Sequence, residues 1–213
     1  IINLIFLLSS QFAGAVAIPE FLTYFDHFAR IDYGPNYIDH LDQVVEIWNG
    51  KNITLKDKLE NYFAQIVYTV NQPAGARGYQ SIFWNIAYFD EDYFKSIFKD
   101  FVFPDFDAPC WETTKELQKL FMRWFNAERL KDLLTFPVET ANMHTINGEY
   151  ADKEMADFFA QMWAEGASFF MYQSDSYNKQ QWESMYQDIE DIYPLAFTDE
   201  AKRKIIAYLE SIR

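Results

Sequence analysis

The chain has 213 residues, 50% of them hydrophobic and 19% aromatic, which is enough apolar surface for one domain with a sizeable core. Its formal net charge of −14 argues against a nucleic-acid-binding surface, because no excess of Lys and Arg is present to neutralise phosphates. The one cysteine, Cys110, excludes an intrachain disulfide and a cysteine-only metal site, and fits a reducing, cytoplasmic compartment. The three histidines have no zinc-ligand spacing, so no metal site is predicted.

The first stretch is nearly all apolar and is followed by small residues. A secretory signal peptide has this pattern, but a basic segment and an initiator methionine are missing, and the run is too short to span a membrane. We therefore favour a buried helix that ends in a turn at Ser9, Ser10 and Gln11, with Gly14 allowing close packing. Because the chain starts at Ile1 and stops within a helical pattern, we interpret it as a segment of a longer protein.

Three helices are predicted in residues 19–71. The first carries an aromatic stripe at three- and four-residue spacing, which is typical of a core or a subunit interface. The second covers residues 38–48 on an amphipathic pattern and ends at Gly50. The third starts at a variant capping box, Thr54 with Asp57 in place of the usual Glu or Gln. The aromatic stripe consists of Phe21, Tyr24, Phe25 and Phe28.

A loop is predicted from Gln72 to Gly78, because a proline and two glycines interrupt regular structure there. From Tyr79 to Ile86 the residues are mostly aromatic or β-branched, which predicts a buried strand. A glycine-bearing loop ahead of a strand lets a ligand approach the backbone closely; the alternative is an ordinary turn with satisfied amides. The polar candidates for ligand contact are Arg77, Gln80, Ser81 and Asn85.

Asp90 is predicted to cap a short helix. A capping box formed by Thr113 and Glu116 predicts another helix, from Leu117 to about Leu130. Cys110 lies just before it, where a helix N-terminus can activate a thiolate as a nucleophile or radical carrier. We favour the alternative, a free cysteine that behaves as a small apolar residue.

The second half of the chain predicts two strands around a helix. The predicted elements are a strand from Thr135 to Met143, a turn at Asn147-Gly148, a helix from about Asp152 to Glu165 stopped by Gly166, and a strand from Ser168 to Gln173. Glu139 and Asn142 are expected near the end of the first of these strands. Their alternative role is a carboxylate and an amide satisfied inside the sheet.

Three blocks of this sequence resemble the anaerobic (class III) ribonucleotide reductases, a family of glycyl-radical enzymes. The blocks are Gly78 to Asn85 (GYQSIFWN), Thr135 to Thr140 (TFPVET) and Ala167 to Ser176 (ASFFMYQSDS). The resemblance covers about residues 3–176 and implies an α/β fold, a helix-rich fragment of the family's ten-stranded barrel over residues 1–176. Residues 177–213 carry no family motif and are interpreted as a helical segment of uncertain origin.

In the resembled family, a C-terminal glycyl radical takes hydrogen from a cysteine, the thiyl radical attacks the ribose 3′ position and the 2′-hydroxyl leaves. Similar members continue after Ser176 into a cysteine-containing run, whereas this chain continues Tyr177-Asn178-Lys179. The resemblance therefore predicts no catalytic residue in this chain, which is expected to be inactive alone. By the resemblance and the position of polar groups, the candidate substrate contacts are Ser9, Ser10, Gln11, Gly14, Gln80, Ser81, Asn85, Glu139, Asn142, Ser174 and Asp175.

The resemblance also implies components that this chain does not contain. They are a glycyl radical, installed by an S-adenosylmethionine iron–sulfur activase, and a C-terminal zinc site. The expected partners are a ribonucleoside triphosphate substrate, deoxynucleotide and ATP effectors, the activating enzyme and a second copy of the chain in a homodimer. Neither nucleic acid nor a membrane is expected to bind.

Two alternative functions stay open. A catalytically dead paralogue would bind nucleotides or dimerise without reducing them. An acidic, aromatic-rich carbohydrate-active protein would stack its rings on sugars and flank the scissile bond with Glu139 and Asp175. Helical aromatic spacing favours a core instead. Since an incomplete barrel leaves strand edges unpaired, the isolated segment is expected to aggregate or dimerise.

Overall fold

The computed structural model describes residues 2–11, 15–73 and 81–174. Its α-helices are α1 (Ile2–Gln11), α2 (Phe21–Tyr33), α3 (Leu55–Val70), α4 (Glu91–Phe98), α5 (Trp111–Arg129) and α6 (Lys153–Ala164). Its strands are β1 (Val16–Ala17), β2 (Val44–Trp48), β3 (Lys51–Thr54), β4 (Trp84–Phe89), β5 (Val138–Ile146), β6 (Glu149–Tyr150) and β7 (Phe170–Ser174). A 3₁₀ turn, Tyr37–His40, follows α2.

The main sheet has the strand order β1-β4-β5-β7, and all three pairings are parallel. Parallel neighbours need a crossover between them, and helices lie on the connections from β1 to β4, from β4 to β5 and from β5 to β7. Strand β6 pairs antiparallel with the end of β5, while β2 and β3 form a separate hairpin. The predicted α/β fold class is confirmed.

Several local signals act as the sequence predicts. Thr54 and Asp57 form the capping box of α3, with both reciprocal hydrogen bonds present. Asp90 caps α4 by accepting a hydrogen bond from the Tyr93 N–H (2.8 Å). Gly166 follows α6 at a φ of +91°, a conformation that favours glycine.

The predicted helix over residues 38–48 is wrong. The chain makes only the short 3₁₀ turn there and then forms β2, which pairs with β3 across Asn49 and Gly50. These two residues have φ values of +49° and +76°, so they form the two-residue hairpin turn that Asn-Gly sequences favour. Apolar spacing over residues 38–48 fits a helix, but β-branched residues and the Asn-Gly turn decide for a hairpin.

The predicted capping box at Thr113 is also wrong. Helix α5 begins at Trp111, six residues earlier than expected, with Cys110 in the N-cap position. The Thr113 hydroxyl lies inside the helix and donates to the fully buried Asp26 on α2 (3.0 Å). Desolvation raises the pKa of Asp26, while hydrogen bonds from Thr113, Tyr37 and Arg30 oppose the rise.

The strand boundaries shift from those predicted. Strand β4 begins at Trp84 rather than Tyr79, and β5 begins at Val138 rather than Thr135. The N–H groups of Thr135 and Phe136 donate to Oδ1 of Asn71 (both 3.1 Å), so they take no part in the sheet ladder. Strand β7 is close to the range expected.

The aromatic stripe of α2 belongs to the core, as predicted. Phe21 contacts Trp84 on β4 and Phe121 on α5, with ring centroids 5.6 and 6.2 Å apart. Phe28 is the exception, since 59% of it is exposed. Within the described ranges, no helix is long and apolar enough to cross a membrane.

Candidate functional site

The main sheet has two chemically different faces, because side chains alternate along each strand. Alternate residues of β4 and β5 point to α2, α5 and α6, and we call this side the helix face. Trp84 contacts Phe21 of α2, and Tyr88 contacts Phe159 of α6. The apolar members of this face on β4 and β5 with no exposed surface are Trp84, Ile86, Tyr88, Ala141 and Met143.

The opposite side, which we call the open face, carries polar groups and is exposed at β7, whereas its β4 residues Ala87 and Phe89 are buried and Phe89 contacts Phe98 of α4. The pairing of β4, β5 and β7 puts alternate residues of the three strands side by side. Two of them, Phe170 and Tyr172, are 63% and 60% exposed. The open face consists of Asn85, Ala87, Phe89, Val138, Thr140, Asn142, His144, Phe170, Tyr172 and Ser174.

Asn85 and Thr140 form the centre of the polar part of this face. Asn85 Nδ2 donates to Thr140 Oγ1 across the β4–β5 pair (3.1 Å). Asn142 follows Thr140 on β5, and its Nδ2 donates to the Tyr88 carbonyl (3.1 Å). Two amides and a hydroxyl, all held by neighbouring strands, present donors and acceptors at fixed positions.

The carboxyl ends of the parallel strands meet at one edge of this face. Asn142 pairs with Tyr172, and His144 pairs with the half-buried Ser174. In α/β sheets, ligands bind outside the carboxyl ends of the strands. The open face is therefore the candidate site. Of the predicted contacts, Asn142 and Ser174 lie toward this edge, whereas Asn85 lies on the same face at the amino end of β4.

Glu139 lies on the other side of the same strand. Its carboxylate accepts hydrogen bonds from the Tyr88 hydroxyl and from Nη1 of Arg129 on α5. Arg129 also donates to the carbonyls of Pro137 and Ser168, both at 3.1 Å, and its guanidinium lies 4.0 Å from the Phe125 ring centroid. These contacts join α5 to the starts of β5 and β7.

Burial dominates the electrostatics of Glu139. Desolvation raises its pKa to about 7, although the positive charge of Arg129 and the hydrogen bonds from Tyr88 and Arg129 oppose the rise. Desolvation, followed by the nearby carboxylate, also raises the pKa of Tyr88. Glu139 and Arg129 thus form a buried, hydrogen-bonded ion pair, and the Glu139 carboxyl changes its charge near neutral pH.

The prediction that Glu139 lies near the end of its strand is wrong. It is the second residue of the nine-residue β5 and points to the helix face, whereas Asn142 points to the open face. Alternation forbids two residues three positions apart from sharing a face. Its carboxylate is hydrogen-bonded to Tyr88 and Arg129 inside the fold, and a substrate contact by Glu139 stays a prediction.

Ser9, Ser10 and Gln11 form the last turn of α1 rather than a turn after it. Ser9 Oγ donates to the Phe6 carbonyl (3.0 Å), and Ser10 Oγ donates to the Leu7 carbonyl (2.7 Å). Gln11 and Ser10 are exposed. Because α1 precedes β1, which pairs with the start of β4, these residues lie toward the amino ends of the strands, away from the candidate edge.

Ser81 donates its hydroxyl to the Asn71 carbonyl (2.8 Å), which ties the approach to β4 to the end of α3. It too lies before the amino end of β4. Gly14, Gln80 and Asp175 lie outside the described residues, as does Arg77. The structure therefore groups only part of the predicted contacts, and substrate binding by each of them stays a prediction.

Sequence reasoning missed Thr140 and His144 on the open face and Arg129 behind it. The first two follow from alternation once Asn142 is chosen, since they lie two residues to either side of it. Arg129 gives no such signal, because its contact with Glu139 depends on how α5 packs. Within the part of the chain that the structure describes, no three His, Cys, Asp or Glu side chains are arranged to hold a metal ion.

A protein-family model matches most of this chain. The family model of the anaerobic ribonucleoside-triphosphate reductases matches residues 1–191. This chain belongs to that family. The match extends past Ser176, where the motif resemblance ends. A comparison with curated protein sequences gives no match.

Solved structures of the reductase family agree with the assignment. The anaerobic ribonucleotide reductase of Thermotoga maritima with citrate in the active site has a TM-score of 0.67 and 28% identity, covering 82% of this chain and 30% of that one. The same enzyme in complex with dATP and CTP gives 0.68 and 29%, covering 82% and 27%. With dATP in the specificity site, the values are 0.68 and 28%, covering 82% and 28%. This chain thus spans less than a third of each of these structures.

Proposed function

We propose that this chain forms part of the nucleotide-binding wall of an enzyme that reduces ribonucleoside triphosphates to deoxyribonucleotides. The family assignment supports the reaction class. The observation that carries the proposal is the open face, where a row of fixed polar groups runs from the Asn85–Thr140 pair near the amino ends of the strands to Asn142 near the carboxyl edge of the parallel sheet. That edge is where α/β folds bind nucleotides.

The radical residues are proposed to lie outside this chain, which is then inactive alone. Cys110, its single cysteine, stands at the N-terminus of α5 and donates its thiol to Glu112 (3.3 Å), rather than lying on the open face. One cysteine does not fit a zinc site built from several cysteines, so no step is assigned to a metal here. The radical chemistry would be supplied by a glycyl radical installed by a separate activase.

Nucleotide binding tests the proposal directly. Calorimetric titration of the purified chain with CTP should show saturable binding. Thr140→Val removes the hydroxyl that pairs with Asn85 and should weaken CTP binding about 3- to 10-fold, the usual effect of losing one hydrogen bond. Gln161→Ala, on the exposed side of α6, is the matched control and should bind CTP like the parent chain. Absence of CTP binding would contradict the proposal.

A reductase and a catalytically dead paralogue would both bind nucleotides, and they would differ in whether the radical residues are present elsewhere in the protein. Sequencing the reading frame that encodes this chain should find a radical cysteine and a glycyl-radical segment if the proposal holds. Their absence would favour a paralogue that binds nucleotides without reducing them. The carbohydrate function loses its main support, because Glu139 is paired with Arg129 on the helix face and the α2 aromatic stripe lies in the core.

We further propose that two copies of the whole protein associate in the cytoplasm and respond to nucleotide effectors. The mostly apolar groove of about 520 Å³ between α1, α2 and α3, beside the exposed Phe28, supports a contact with a second copy. Sedimentation of the chain and of Phe28→Ser tests this. The substitution should shift the distribution towards monomer, and a parent chain that is monomeric at high concentration would contradict it.

A further inference from the structure

His144 occupies the last polar position of β5 on the open face. It follows Thr140 and Asn142 at every second residue and pairs with Ser174 of β7. Its side chain is 19% exposed, so it is partly accessible at the carboxyl edge of the sheet. In the sequence it lies outside the three family motifs and far from the other two histidines.

Among the residues that the structure describes, the ring of His144 has a hydrogen-bond partner on its Nδ1 side. Its Nδ1 lies 2.9 Å from Oδ2 of Asp92 on α4, and its backbone N–H donates to Oδ2 of Asp90. A carboxylate can only accept, so the proton of the neutral ring sits on Nδ1. Nε2 is then left as a bare acceptor, and it makes no hydrogen bond to any described residue.

The charges around His144 decide what kind of ligand group Nε2 can meet. The side chains facing it from α4 and its N-cap are Asp92 and Asp90, and Asp152 at the start of α6 lies next to them, accepting the Glu91 N–H (3.2 Å). Lys95, the cation of α4, is paired with Glu91. This acidic surrounding disfavours a phosphate and favours an uncharged hydrogen-bond donor.

We propose that Nε2 of His144, oriented by Asp92, accepts a hydrogen bond from a ribose hydroxyl of the bound ribonucleoside triphosphate. The inference rests on the proposed nucleotide-binding function of the open face. His144 is then a sugar-recognition residue, and Asp92 is a positioning residue that fixes its tautomer. Together they extend the row of polar groups from the middle of the sheet to its carboxyl edge.

Affinities for four nucleotides test the contact. His144→Phe keeps a planar ring without its nitrogens and should weaken the binding of CTP and UTP equally, about 3- to 10-fold. One of the two analogues, 2′-deoxy-CTP or 3′-deoxy-CTP, lacks the hydroxyl concerned and should bind the parent chain and His144→Phe alike. Asp92→Ala, which retains the histidine but not its orientation, should cause a smaller loss. His40→Phe, at an exposed histidine in the 3₁₀ turn after α2, should change nothing.

Each other outcome has a distinct meaning. If both deoxy analogues lose as much affinity as CTP on His144→Phe, no ribose hydroxyl is bound and the inference fails. A loss for CTP without a loss for UTP would place the contact on the base amino group and also overturn it. Thermal unfolding of His144→Phe checks that it folds, and Asp92→Ala gives an independent measurement if it does not. If the parent chain binds no nucleotide, the proposed function itself fails.

Discussion

The two faces of the same sheet use polar groups in opposite ways. On the helix face, Glu139 and Arg129 satisfy each other inside the protein, with Tyr88 as a third partner. On the open face, Asn85 and Thr140 hold each other but remain beside exposed side chains. Polar residues in a family motif therefore differ in role. Those on one side of β5 stabilise the fold, and those on the other side are the candidates for ligand contact.

The largest expected effect comes from breaking the ion pair of the helix face. Arg129→Ala leaves Glu139 buried without its charge partner and should lower the free energy of unfolding by about 3–5 kcal/mol at pH 8. The loss should be smaller at pH 5, where the carboxyl is protonated. Denaturant unfolding measures it, with Lys153→Ala at the exposed start of α6 as the control. A loss below about 1 kcal/mol would show that the pair does not stabilise the fold.

A second test contrasts apolar side chains on the two faces. Met143→Ala opens a cavity under the helices and should cost about 2–4 kcal/mol of unfolding free energy. Tyr172→Ala on the open face removes an exposed ring and should cost less than about 1 kcal/mol. Both are measured by denaturant unfolding. Equal losses would mean that the open face is as well packed as the helix face.

The pH dependence of stability should follow Glu139. Its pKa is raised to about 7 in the fold, so the folded chain binds this proton more tightly than the unfolded chain does. The resulting stabilisation is complete below the ordinary pKa of a glutamate and is lost as pH rises through about 7. The parent chain should therefore lose on the order of 2 kcal/mol between pH 5 and 8 relative to Glu139→Gln. Parallel curves for the two proteins would contradict this.

The smallest effect on stability is expected at the centre of the open face. Asn85→Ala removes the hydrogen bond to Thr140 and should change the unfolding free energy by less than about 1 kcal/mol. CTP affinity should nevertheless fall about 3- to 10-fold, because the substitution removes a polar group from the candidate site. Calorimetry and denaturant unfolding on the same preparation separate the two effects. A large loss of stability would show that Asn85 stabilises the fold, as Glu139 and Arg129 do on the helix face.

Local signals in the sequence were sufficient where one residue's chemistry decides the geometry. Asp90 caps α4 and Gly166 ends α6 because a carboxylate beside free N–H groups and a glycine at positive φ need no distant partner. The hairpin turn at Asn49-Gly50 also has a local signal in the sequence. The apolar spacing over residues 38–48 fits a helix as well, and it gives the wrong prediction there.

Long-range contacts could not be read from the sequence in the same way. The hydroxyl of Thr113 binds Asp26, 87 residues earlier, and so does not cap a helix. Glu139 and Asn142 are three residues apart on one predicted strand, and strand alternation puts them on opposite faces of the sheet. Whether Glu139 or Asn142 points to the helices depends on how α5 and α6 pack on the sheet. Only the structure supplies that information.

The alternation of core and open-face residues along β5 has a consequence for sequence changes in this strand. Odd-numbered positions from Glu139 to Met143 are constrained by the core, whereas Asn142 and His144 are only partly buried and are less constrained by packing. Point substitutions at these two positions are therefore expected to leave the scaffold intact. A one-residue insertion within the strand would do the reverse, because it exchanges the two rows at once.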